Sequence, residues 1–368
     1  MVERGAPTAV PADGQDSWRR VLAPYAEPDL GLGLRNIATA VVPYLLLLLA
    51  IYFALRISTL LAIALAVPAA GFLLRTFIIF HDCAHSSFFR SKRANALVGA
   101  VLGVVLFMPF RSWRHKHAVH HATAGDLDRR GVGDIHTLTV AEYRALSRRG
   151  RLGYRLFRNP FVMFGLGPLW VVLVGPRIVS LSANRRIRNS VLGTDLALVL
   201  IGGGLCWLVG WQTFLLIQVP ALLLSGAIGI WLFYVQHQFE STYWESRESW
   251  NYDDAALRGS SYLKLPRVLQ WFTGNIGFHH VHHLSARIPN YNLQPAHDGA
   301  AQLQGVPTLS LREGLRAPRW KLWDEGRGRL VTFREAREPP NAGDASARPL
   351  RPTASRTGQT ATQQPSGP

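Results

Sequence analysis

"LALVLIGGGLCWLVGWQTFLLIQVPALLLSGAIGIWLFYVQHQF", residues 196–239, runs for 44 residues without a formally charged side chain. One helix of about 20 residues crosses the hydrocarbon of a bilayer. The stretch is about twice that length and must turn round once, with the turn expected near Gly210, Trp211 and Gln212. Two more uncharged runs precede it: residues 37–55 are 19 long and residues 57–74 are 18 long, with Arg56 between them. Helical spans are therefore expected over residues 37–55, 57–80, 191–210 and 213–236, arranged as two hairpins. The fold class that follows is an all-α integral membrane protein with four transmembrane helices and a helical region on the cytoplasmic side.

Composition agrees with this reading. Of 368 residues, 48% are hydrophobic and 17% charged. A large soluble protein with buried helices would seldom carry wholly apolar stretches beyond about 10 to 14 residues, and seldom in such pairs. The first run is not expected to be a signal peptide, because it lies far from Met1 behind a polar stretch and exceeds the length of such a core. Cys83 and Cys206 suggest neither a disulfide framework nor an oxidising compartment. The net charge of +17 would point a soluble protein towards nucleic acid. Here Arg90, Lys92 and Arg93 follow the second span and Arg185, Arg186 and Arg188 precede the third, whereas the Gly210 turn has no charge. That asymmetry places the termini and the long middle segment in the cytoplasm, with no nucleic-acid partner expected. The same charges suit anionic headgroups or an acidic docking protein. Residues 1–30 lack a periodic apolar face and residues 336–368 are rich in Pro, Ser, Thr, Arg and Gln, so both ends are expected to be disordered around a domain of residues 31–335.

Histidines carry the chemistry. "HDCAH" sets His81 and His85 four apart just beyond the second span, so on a continuing helix both project from one face. "HAVHH" holds His117, His120 and His121 at i, i+3 and i+4, and "FHHVHHL" at 278–284 repeats that spacing in His279, His282 and His283. His237 ends the fourth span. Two hairpins return the chain to the same side each time, so all of these histidines emerge on one face of the membrane. Neutral imidazole is a common ligand of Fe, Zn and Cu, and nine are too many for one ion and suit two. Residues 94–110 and 160–176 are also uncharged for 17 residues each. If the first alone crossed the membrane, "HAVHH" would land opposite "HDCAH"; both segments are therefore expected to lie in the interface or to dip in and return.

With the boxes in this order the chain resembles the integral-membrane fatty acid desaturases, whose pattern is HxxxH or HxxxxH, then HxxHH, then a late HxxHH. "HHATAGDLDRRGVGDIHTLTVAEY" (120–143), "YVQHQFESTYWE" (234–245) and "GNIGFHHVHHLSARIPNYNL" (274–293) look like the branch of bacterial acyl-lipid Δ12 (omega-6) and Δ5 enzymes, and the resemblance covers roughly residues 30–300. It implies that His81, His85, His117, His120, His121, His237, His279, His282 and His283 are metal ligands. It implies a non-haem centre of two Fe, with O2 as co-substrate, removing two hydrogens from adjacent methylenes of a membrane-lipid acyl chain. A multi-pass protein of the bacterial inner membrane with a cytoplasmic active site, and a Δ12 type of desaturation, are further expectations from the resemblance. In stearoyl-type relatives an Asn four residues before the last-span histidine contacts the metal through water; here Phe233 stands at that place.

Other residues complete the expectation. Asp82 and Asp298 are candidates to orient imidazole N–H groups, or else helix caps. His280 points away from the stripe of its neighbours and is expected to support them, and His115, His136 and His297 read as ordinary polar residues. Cys83 is offset from the His81 and His85 face. Trp231 and Tyr234 are candidates to line an acyl channel, the alternative being lipid-facing interfacial aromatics. No G-x-G-x-x-G opens a nucleotide fold and no HPGG-type haem module is fused. Electrons are therefore expected from an external ferredoxin or cytochrome b5-like protein docking near Arg111, Arg114, Arg129 and Arg130. Two other functions fit the residues less well: a fatty acid hydroxylase or related oxygenase on the same scaffold, and a membrane metal-binding or transport protein, which would place its ligands near the bilayer midplane.

Overall fold

Gly210 adopts φ 86°, a left-handed backbone that glycine enters without a Cβ clash, and there the long apolar run breaks into two helices. The computed structural model describes residues 14–179 and 183–338. In chain order its principal helices are α1 (Gly14–Leu22), α2 (Leu30–Ala54), α3 (Thr59–His85), α4 (Lys92–Val105), α5 (Phe110–Thr123), α6 (Val140–Ala145), α7 (Arg148–Phe157), α8 (Arg185–Val209), α9 (Trp211–His237), α10 (Tyr252–Arg258), α11 (Arg267–Phe272) and α12 (His279–Leu284). Side chains cap the ends of the long helices. Asp29 accepts from Leu32 N at 2.7 Å to start α2, and Asn184 accepts from Ile187 N at 3.0 Å to start α8. Ser86, in the left-handed region at φ 59°, stops α3 directly after "HDCAH".

Four helices, α2, α3, α8 and α9, are long and apolar enough to cross a membrane. The central one is α3, which packs on α2, α4, α5 and α9. Its Ala62, Ala66, Ala69 and Ala70 are all buried, and small side chains let helix backbones approach where lipid offers no hydrophobic drive. The outer helices face the other way: Leu45, Leu46 and Leu49 of α2 and Val199, Leu200 and Trp207 of α8 are exposed, an apolar surface suited to acyl chains.

Two more apolar pairs are sharply bent. α4 and α5 meet at 105°, and α7 meets the following Val162–Arg177 segment, largely π-helical, at 59°. The first bend needs glycine, because a Cβ on Gly103 would lie 2.5 Å from the Met108 carbonyl oxygen. Arg177 joins the two folded-back segments: it donates to the Phe107 carbonyl at 2.5 Å and pairs with Asp195 of α8 at 3.0 Å. The first bend brings the histidines of α5 back to the end of α3.

Outside the long helices, residues 124–158 and 238–338 form a cap that holds the ends of α3 and α9. It contains two small sheets. In one, β1 (Leu138–Thr139) pairs in parallel with β4 (Leu322–Asp324), which runs antiparallel to β5 (Arg329–Val331); in the other, β2 (Tyr262–Lys264) pairs in parallel with β3 (Thr308–Ser310). The fully buried Arg158 ties the cap to α9, donating to Tyr234 Oη at 2.9 Å, Gln238 Oε1 at 2.9 Å and the Trp320 carbonyl at 3.0 Å.

The expectation of a disordered first 30 residues fails from residue 14 onwards. Gly14–Leu22 is helical, and Trp18 and Leu22 are buried in the same core as Val281 and Leu293. Two apolar residues one turn apart are too short a pattern to announce a helix. Residues 1–13 lie outside the described residues. At the other end Ala336 is buried in a 3-10 turn, Glu335–Arg337, and residues 339–368 of the expected tail are likewise outside the description.

Candidate metal centre

The histidine boxes converge, and they divide. His81, His85, His117, His121 and His282 form one group that could hold a metal ion, and His120, His237, His279 and His283 form a second; within each, the candidate ligand atoms lie within 4.8 Å of one another. Helical spacing explains the division. His117 and His121 are one turn apart on α5 and face α3, whereas His120 is rotated towards α9, its ring centroid 4.7 Å from that of His237. In α12, His282 joins the first group while His279 and His283 join the second. The groups touch through the stacked rings of His121 and His283, whose centroids are 4.2 Å apart.

Hydrogen bonds on the far side of the rings set which nitrogen faces inwards. His237 Nδ1 lies 3.0 Å from the Gly259 carbonyl, which can only accept, so Nδ1 carries the proton and Nε2 a lone pair. His120 Nδ1 lies 2.5 Å from Asp134 Oδ1, so in its neutral, metal-ligating form His120 also presents the Nε2 lone pair inwards. Yet His120 Nε2 and His237 Nε2 are 3.1 Å apart, and His279 Nε2 is 2.9 Å from His237 Nε2. Two lone pairs cannot hydrogen-bond each other. They can share a cation: imidazole nitrogen sits about 2.0–2.1 Å from a zinc-sized ion, which separates neighbouring ligand atoms by about 3 Å. In the first group, His117, His121 and His282 show the same Nε2 spacing, 3.1 Å and 3.0 Å. His85 Nε2 and His283 Nε2 are buried without a hydrogen-bond partner, a cost of about 1–3 kcal/mol each if nothing else binds them. The donor set therefore fits metal.

Burial, and then the neighbouring imidazoles, hold His117, His121, His279, His282 and His283 well below the ordinary imidazole value of 6.5. Neutral imidazole is the form that ligates.

The supporting residues are partly those expected. Asp82 Oδ1 lies 3.1 Å from His81 Nδ1, and its Oδ2 accepts from Asn290 N and Nδ2 at 2.7 and 2.8 Å, joining the first box to the segment after the third. Asp298 does not perform this role: it is exposed, and acts on His297 only through its charge. The partners that sequence reading missed are Asp134 and the Gly259 carbonyl. A backbone carbonyl leaves no trace in residue type. Asp134 had one in "GVGD": Gly131 and Gly133 take φ 102° and 76°, and a Cβ on Gly133 would lie 2.8 Å from the Lys116 carbonyl oxygen, so the loop presses against α5.

His280 stands outside both groups and pairs with His297 at 3.0 Å, both buried. His115 is exposed and His136 offers its carbonyl to Arg158. Cys83 is buried in the packing between α3 and its neighbours, away from the site. Phe233 packs against His120 and His237, ring centroids 4.9 and 5.4 Å away, and brings no polar group. Of the four arginines, Arg111 and Arg114 are exposed, whereas Arg129 pairs with Asp126 at 2.5 Å and Arg130 with Glu142 at 2.5 Å.

An apolar cavity of about 420 Å³ opens beside the histidines, reached by His81, His117 and His279 and walled by α3, α9 and the two folded-back segments. Trp231 and Tyr234 do not line it. Trp231 donates to the Gly314 carbonyl at 3.1 Å, and the Tyr234 hydroxyl donates to the Trp320 carbonyl at 2.5 Å, so both face the cap. The cavity lies on the opposite side of α9, at Phe233 and Gln236.

The profile of the family described as fatty acid desaturase matches residues 58–309. This chain belongs to the fatty acid desaturase family. A "Fatty acid desaturase" of Bacillus subtilis is 48% identical over 329 residues, 89% of this chain and 94% of that protein. An "sn-1 oleoyl-lipid 12-desaturase" of Synechocystis sp. is 29% identical over 60% of this chain and 63% of its own length. An "Omega-6 fatty acid desaturase, chloroplastic" of Arabidopsis thaliana is 26% identical over 63% of this chain and 51% of its own length. As a desaturase the chain is an oxidoreductase of fatty acid metabolism, and its histidine groups and apolar helices fit metal binding and membrane insertion.

The depressed imidazoles make a pH prediction. Below about pH 6.5 the unfolded chain binds protons that the folded chain refuses, so stability rises with pH and is lost on acidification. The unfolding midpoint of metal-free protein should fall steadily between about pH 7.5 and pH 5, and loaded protein should release metal in the same range; a flat midpoint would contradict it.

Proposed function

We propose that this desaturase introduces a cis double bond into an acyl chain of a membrane lipid, with the nine histidines holding two irons, five on one and four on the other. The observation that carries the reading is the placement of both histidine groups beside one apolar cavity, whose lining includes His81, His117 and His279. A methylene offers no polar handle, so recognition falls to shape and depth. The cavity walls orient the chain and exclude water, while His81, His117 and His279 bring the metal-holding side chains to its edge. Two bound irons would supply the activation of O2 needed to take hydrogen from an unactivated carbon. Neutral imidazoles would leave the ions' positive charge largely uncompensated, with Asp134 and Asp82 the carboxylates closest behind the rings.

The Δ12 (omega-6) position is proposed from the names of the cyanobacterial and plant relatives. The basic residues flanking the spans support a cytoplasmic site in a bacterial inner membrane. For the electron donor, the exposed Arg111 and Arg114 on α5 are the better docking candidates, since Arg129 and Arg130 already hold acidic partners. Reversing both exposed charges should raise the KM for an acidic ferredoxin or cytochrome b5-like donor and flatten its salt dependence; an unchanged KM would reject this surface.

Expression in a host with simple saturated and monounsaturated lipids, followed by location of new double bonds, tests the function. The wild type should add double bonds at one position. His120→Ala should abolish them and lower the iron content below two per chain. Hydroxylated chains in place of new double bonds would favour the oxygenase alternative.

A further inference from the structure

The cavity has a depth, and one residue stands where that depth is decided. On the α9 wall, Leu222, Ser225, Gly226, Gly229, Phe233 and Gln236 follow one another at helical spacing. Facing them on α3 are Leu73, Leu74, Phe77 and Ile78. Leu73 and Leu222, the lining residues of α3 and α9 farthest along each helix from His81 and His237, are buried at 0% and 3% exposure. Gly229 lies between Leu222 and the metal-binding end, eight residues before His237 and so about 12 Å along the helix axis.

The two cavity glycines of α9 differ in what a side chain would meet. A Cβ on Gly226 would lie 3.2 Å from Pro168 Cβ and 3.3 Å from Val172 Cγ2, so that glycine lets a folded-back segment approach. A Cβ on Gly229 would find only Leu74 Cδ1, at 4.0 Å. No packing contact requires glycine there, and its φ is not in the left-handed region. In a helix interior a glycine costs about 1 kcal/mol relative to alanine. At this position the missing side chain serves the cavity.

We propose that Gly229 is a specificity-determining residue, the absence of a side chain there setting how much acyl chain can extend beyond the reacting carbons. The proposal rests on the acyl-chain reading of the cavity. A side chain at 229 would divide the space, leaving the part next to the histidines open and blocking the part towards Leu73 and Leu222. Long chains would then be excluded while shorter ones still reach the metals.

The test is the full chain as wild type, Gly229→Ala, Gly229→Leu and Gly229→Phe, each expressed in a host supplied in turn with acyl chains of increasing length. Conversion and double-bond position are read for every length, with iron content and thermal unfolding measured on the same proteins. The longest chain accepted should shorten stepwise from Gly to Phe. Conversion of the longest chains should fall about tenfold or more relative to the shortest, the discrimination expected when an apolar pocket loses room for a methylene, with iron content unchanged. An identical length profile across the series, or a loss equal at every length with iron retained, would overturn the proposal. If Gly229→Phe fails to fold, the Ala and Leu variants decide by the same criterion. A wild type that makes no double bonds at all would instead reject the acyl-chain reading.

Discussion

Imidazole nitrogens of four chain segments face one another at hydrogen-bonding distances, an arrangement that suits bound cations. His237 and His120 each direct Nδ1 to an acceptor, leaving their Nε2 atoms facing each other at 3.1 Å. Repulsion of this kind, across nine histidines of which five are buried and four half-buried, would push the site apart if it stood alone. Neutral ligands around positive ions turn the same geometry into attraction. The helices, the folded-back segments and the cap can be understood as the means of keeping the rings together.

The topology follows from that need. Ligands come from α3, α5, α9 and α12, which are remote along the chain, and they must all reach one side of the hydrophobic layer. Hairpins accomplish this for α3 and α9. α5 requires a different device, because an uncharged segment of membrane-like composition separates it from α3. The 105° bend between α4 and α5 turns the chain back towards the end of α3, and Arg177 holds its tip by the Phe107 carbonyl. An ion pair at Asp195, within an otherwise apolar span, is costly unless fully engaged; here it holds Arg177, next to the cavity-lining Gly175 and Pro176. The result is an apolar cavity walled by α3, α9 and the folded-back segments, with His81, His117 and His279 at its edge.

Much of this was legible in residue type and spacing. Length without charge announced the spans, and i, i+3, i+4 histidines announced a shared metal-binding face. Features that depend on three-dimensional neighbours were not. The separation of His120 from His117 and His121 into different groups depends on where α3 and α9 lie around α5. The Gly259 carbonyl is invisible because every residue has one. Trp231 and Tyr234 lie on the span that walls the cavity, but direction around the helix decides whether a residue meets it, and both point to the cap. The α1 helix was missed because its packing partners, among them Val281 and Leu293, lie far along the chain.

The central claim is that two distinct ions occupy two histidine groups of unequal size. Anomalous diffraction at the iron edge, from crystals of protein purified with its native metal, tests it directly. The account predicts two iron peaks, one among His81, His85, His117, His121 and His282 and the other among His120, His237, His279 and His283, each about 2.0–2.3 Å from its nitrogens. A single peak shared by all nine, or fully loaded crystals without iron at either group, would contradict it.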